Sequence, residues 1–133
     1  MTATPATIQL ADRLHYLPVR HGSAAFAGEA RRAMFEVQPD CVALELPRPL
    51  APEFIRLLRD LPRIRMLAYR AGAGQAAVIA ADPCDARVEA ARLALDNDIR
   101  IELVDSLQAG LGEKPLVLPD DFAATRLGAA AYA

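Results

Sequence analysis

Cys41-Val42-Ala43-Leu44-Glu45-Leu46 is a nearly continuous apolar run broken by one carboxylate. Such a run reads as a strand buried on both faces, the pattern of a parallel sheet. Pro47-Arg48-Pro49 ends it. Before it, Phe26, Ala30, Ala33, Met34 and Val37 recur at helical spacing, which predicts a helix from Ala24 to Gln38. Glu29, Arg32 and Glu36 on its other face are spaced for side-chain pairing. Ser23 is placed to cap this helix, and Pro39-Asp40 ends it. Further back, Leu14-His15-Tyr16-Leu17-Pro18-Val19 reads as a strand, with Pro18 near an edge or an end.

Downstream, Pro52 suits the first position of a second helix, whose buried stripe is Phe54, Leu57, Leu58 and Leu61. A third strand is expected over Ile64 to Tyr69 and a fourth over Gln75 to Ala81. The glycine-rich link Ala71-Gly72-Ala73-Gly74 predicts a hairpin between them. Asp82 as cap and Pro83 at the first position open a third helix, with Val88, Ala91 and Leu95 inside and Asn97 at its end. Arg100 to Asp105 is the fifth strand.

The order is β-α-β-α-β-β-α-β. This predicts an α/β fold, a mostly parallel sheet of about five strands with a β-hairpin and helices packed on it. Residues 1–12 are small and polar and read as a flexible N-terminus. Residues 13–105 form the α/β domain. Residues 106–133 form a C-terminal extension with a short helix from Asp121.

Composition narrows the function classes. Of 133 residues, 53% are hydrophobic but only 5% aromatic, with no Trp, so the core is aliphatic and Ala-rich. The formal charge of −2 lacks the basic excess of a nucleic-acid binder. Lys114 is the only lysine, a pattern of compositional bias or of anion recognition by guanidinium groups. The apolar stretch Ala71 to Ala81 is too short to span a bilayer, and the first residues lack a basic segment followed by an apolar one. The expectation is a cytoplasmic protein with no membrane partner. Cys41 and Cys84 form no C-x-x-C pair, so a structural zinc site is not expected.

Ligands of open α/β sheets bind beyond the carboxyl ends of the strands. His21, Glu45, Tyr69, Arg70, Asp82 and Asp105 fall there. His21, between a strand and a helix N-terminus, suits a general base or a metal ligand, or else a loop histidine bonded to a carbonyl. Glu45 must be paired, hydrated or protonated. Pairing with His21 would make an acid–base or divalent-metal site, and pairing with Arg20, Arg48 or Arg70 a structural ion pair. Arg20, Ser23, Arg70 and Asp105 are the candidate ligand-binding residues, although Asp105 also suits a turn cap. His15 lies too far along an extended strand to share a metal with His21. Cys84, expected in the first turn of a helix where a thiolate is favoured, makes at most a weak Cys/His pair. Gly72 and Gly74 open a strand, so they mark a hairpin and not a phosphate loop.

Pro18-Val19-Arg20-His21-Gly22-Ser23 resembles the start of an uncharacterised bacterial family with a P-V-R-H-H-S-like N-terminal motif. Gln38-Pro39-Asp40, Val42-Ala43-Leu44-Glu45-Leu46-Pro47, Leu67-Ala68-Tyr69-Arg70 and Ile101-Glu102-Leu103-Val104-Asp105 extend the resemblance over most of residues 14–105. That family is similar to the group containing TraB/Tiki proteins, erythromycin esterases and haem-binding ChaN proteins. The resemblance implies a metal-dependent or histidine-based hydrolase-like pocket holding His21 and Glu45. It also implies MoxR-type ATPases and von Willebrand factor A-domain proteins as partners. Gly22 stands where the motif has a second histidine, and the relatives are several times longer. The chain therefore reads as a non-catalytic interaction or assembly module related to hydrolase-like proteins, with self-association through its Ala-rich end. The alternative is a metal- or histidine-dependent hydrolase-like domain with His21 and Glu45 at the strand ends. An anion binder using Arg20 or Arg70 is the third reading.

Overall fold

A computed structural model of the chain describes residues 7–72, 74–107 and 126–127. The short helix expected from Asp121 and the Ala-rich end lie outside these residues, Arg126 and Leu127 excepted. The fold is mixed α/β. Its order is β1 (Ile8–Ala11), β2 (Leu14–Tyr16), α1 (Ala24–Val37), β3 (Cys41–Pro47), a 3-10 turn (Arg48–Leu50), α2 (Ala51–Arg59), β4 (Met66–Ala71), β5 (Gln75–Ala80), α3 (Ala86–Asp96) and β6 (Arg100–Asp105).

The described strands pair in twos. β3 and β6 are parallel, with Cys41 opposite Arg100 and Leu44 opposite Leu103. This is one parallel pair of the kind the β-α-β alternation predicts, and β6 has the predicted bounds. β4 and β5 form the expected antiparallel hairpin, from Met66 opposite Ala80 to Ala71 opposite Gln75. The pairing continues past β5, where the Ala81 N–H donates to the Arg65 carbonyl at 2.8 Å.

Two elements differ from expectation. Residues 14–19 do not form one strand. Pro18 has no N–H for a ladder, so the strand stops at Tyr16 and pairs back on Ile8–Ala11 in an exposed hairpin. Residues 8–11 are thus strand where flexible chain was expected. An Arg13–Asp40 ion pair at 2.7 Å ties the turn of this hairpin to the α1–β3 connection. The third helix also starts later than predicted. The Asp82 carboxylate accepts the Cys84 N–H at 2.9 Å and its carbonyl accepts the Asp85 N–H at 2.9 Å, which closes a turn. The helix then begins at Ala86 with Asp85 as its cap. Cys84 is therefore exposed in that turn, not in a helix.

The core sits on one face of the strands. Leu44, Leu46 and Leu103 from the parallel pair meet Phe54 and Leu58 of α2, Val88 and Ala91 of α3, and Ile79 of β5. Phe26 and Ala30 of α1 pack on Ala86 of α3, with Leu17 and Val19 against them. On the other face Ala43, Glu45, Glu102 and Val104 are exposed. The expectation of a strand buried on both faces fails for β3. The alternation was masked because Ala43 on the open face is also apolar.

Candidate functional site

α3 leads into β6 through residues 97–99, so it runs back against the strand direction and its N-terminus lies at the carboxyl ends of β3 and β6. The N-terminus of α1 lies beside it. The Gly22 N–H donates to Asp85 Oδ2 at 3.2 Å across this junction. Gly22 has φ of 69°, a left-handed conformation that glycine adopts without penalty, and this aims its N–H at the carboxylate. A residue with a Cβ would be strained here.

Asp85 is the centre of the cluster. Its side chain is only 7% exposed. Oδ1 accepts the Arg87 N–H at 2.9 Å, the helix cap, and Arg87 Nε at 3.1 Å, while Oδ2 accepts Arg87 Nη2 at 3.2 Å. His21 Nδ1 stands 3.6 Å from Oδ2, with the imidazole 52% exposed. Burial pushes the Asp85 carboxyl up, but His21 and Arg87 outweigh burial and hold it well below the usual carboxylate range. Asp85 is thus an anion that faces Nδ1 of His21 at ion-pair distance, with the imidazole half-exposed.

The other sequence-derived candidates scatter. Glu45 is exposed on the open face of β3, so hydration answers its charge, and no hydrogen bond or ion pair joins it to His21. Ser23 is buried at the cap position of α1 without a side-chain cap bond. Arg20 is half-buried in the same loop as His21. Arg70 is exposed and Tyr69 half-buried in the hairpin. Asp105 is exposed at the end of β6 and accepts the Ser106 N–H at 2.7 Å. His15 contacts Thr7 Oγ1 at 3.2 Å on the exposed hairpin. Among the described residues no three His, Cys, Asp or Glu side chains gather in a way that could hold a metal ion.

Asp85 and Arg87 are the site residues that reading the sequence missed. The signal was present: Asp85 lies three residues before Val88, the first residue of the apolar repeat Val88, Ala91, Leu95, at cap spacing from it. One turn on, the buried Glu89 takes two bonds of 2.9 Å from Arg92 and lies 3.5 Å from Arg31 of α1, a second tie between the two helices. An open groove of about 510 Å³ lies at the far end of α3, between Leu58, Arg59, Arg92 and Asp96, away from His21. No family model matches the chain, and no curated protein or solved structure matches it.

Proposed function

We propose that this chain is an interaction or assembly module whose open strand face takes up another protein. One observation carries this reading: among the described residues, the parallel strand pair has helices on one face only. Parallel sheets almost always have both faces covered. The hairpin, a separate sheet, has an exposed apolar side of its own. Met66, Ala68, Val78 and Ala80 are exposed there, on the side opposite Ile79. Exposed apolar surface rimmed by charge is the usual mark of a protein interface. The hairpin and the parallel pair line a single core. The finer architecture, a mostly parallel sheet of about five strands, belongs to the same proposal. By resemblance of the Pro18–Ser23 loop, MoxR-type ATPases and von Willebrand factor A-domain proteins are the partner classes to try, in a cytoplasmic setting.

The test is Val78→Glu. It should leave the melting curve unchanged and abolish association, with itself or with those purified partners, in sedimentation velocity. A wild-type chain that associates with nothing, or a variant that associates as well as wild type, defeats the reading.

A second reading rests on His21 and Asp85. A buried carboxylate facing one nitrogen of a half-exposed imidazole orients the ring for proton transfer at the other nitrogen. This would be the hydrolase-like alternative, with Asp85 in the carboxylate role expected of Glu45. Ester hydrolysis lost in both His21→Ala and Asp85→Asn, and kept in Glu45→Ala, would support it.

A further inference from the structure

The open strand face has a charge pattern that selects its occupant. We infer that a second copy of this chain docks there, outer face to outer face, with strands antiparallel across a two-fold axis. This rests on the assembly reading above and adds the identity of the partner.

The argument starts from β6. Arg100 and Glu102 stand two residues apart on the open side, 3.6 Å between Nε and Oε1, and both are half-exposed or more. Ile101 between them turns toward the core. A two-fold axis crossing β6 at Ile101 exchanges the two positions. Arg100 of one copy then meets Glu102 of the other, and the reverse pair forms at the same time. A two-fold interface requires such reciprocity. An unrelated partner would need a matching pair of its own, whereas this chain already carries it.

The surroundings suit a sheet-on-sheet contact. Ala43, opposite Glu102 in the register, is small, as are Ala68 and Ala80 on the hairpin. Small side chains allow two sheets to approach to about 10 Å. Met66 and Val78 supply apolar bulk on the same outer side of the hairpin, 72% and 57% exposed. An apolar area with a charged, self-complementary margin is the anatomy of a dimer interface.

Sedimentation equilibrium on the full chain, from about 1 to 500 μM, reads the outcome. Wild type is expected to be a dimer in the upper part of that range. Arg100→Glu and Glu102→Arg should each weaken it on the order of tenfold, since each sets like charges face to face. The double variant Arg100→Glu/Glu102→Arg should recover to within about threefold, because the exchange restores both pairs. Both sites are exposed, and circular dichroism with a melting curve checks that each variant is folded. A wild-type monomer throughout overturns the inference, as does a dimer indifferent to these changes and to Val78→Glu. If the monomer still binds a purified partner and Val78→Glu abolishes that binding, only the second copy is excluded and the assembly reading stands. A monomer that binds no partner removes both.

Discussion

Leu103 and Val104 are neighbours on β6, yet one is 2% exposed and the other 53%. The first lies under α2 and α3, and the second faces away from every described helix. The same contrast runs along β3, where Leu44 and Leu46 are buried and Ala43 and Glu45 are not. One face of these strands holds the fold together. The other is exposed among the described residues. The difference gives substitutions on the two faces opposite signatures: inner changes move stability, and outer changes move association.

The sharpest way to break the comparison is Phe54→Ala. Phe54 of α2 is fully buried against the inner face. Its loss should cost about 4 kcal/mol, from lost transfer energy and the cavity left behind. Urea denaturation should show the midpoint falling. A cost below about 1 kcal/mol would mean that the inner face is not the core.

Asp85 tests the end of the molecule where α1 and α3 meet. Asp85→Ala removes a helix cap, the Arg87 contacts and the Gly22 bond, and should cost about 2 kcal/mol near neutral pH. The pH dependence has a definite sign. The folded-state carboxyl is held below its ordinary value. Its contribution is therefore complete above the unfolded value near ~4 and is lost as pH falls below that. The stability difference between wild type and Asp85→Ala should narrow steadily in acid. A difference that is constant from neutral pH into acid would show that Asp85 acts through packing and not through its charge.

Gly22→Ala probes the same junction from the α1 side. The left-handed backbone there disfavours any Cβ, although nothing crowds it within 4 Å. The expected cost is about 1 kcal/mol, by chemical denaturation. If the cost is absent, the loop can relax without losing its bond to Asp85.

Much of the fold was legible because its signals are local. The bounds of β6, the glycine-bearing hairpin turn, Pro52 near the start of α2 and the helical stripe of α1 each depend on a few adjacent residues. The pairing predicted on α1 is also present, with Arg32 bonded to Glu29 at 2.6 Å and to Glu36 at 3.3 Å. Long-range choices were not legible. Glu45 and Asp85 are both carboxylates near strand ends in the chain, and either would suit His21. Which one reaches it depends on α1 packing against α3, and no periodicity encodes that. The uncovered face was hidden for a related reason. Alanine is apolar enough to pass as core and small enough to sit in water at little cost, so Ala43 made a one-sided strand look two-sided.

The smallest effect gives the most discriminating use of that contrast. Val104→Thr keeps the branched shape and β-propensity of the side chain and adds one hydroxyl. In a buried site the hydroxyl would need a partner and would cost on the order of 1–3 kcal/mol. At a position 53% exposed, water supplies that partner. In dilute monomer, the expected change is within about 0.5 kcal/mol. Leu103→Ala, one residue earlier, should cost about 3 kcal/mol under the same conditions. If Val104→Thr instead destabilises the dilute monomer by more than about 1 kcal/mol, the outer face is covered within a single chain. The surface assigned to a partner would then belong to the core.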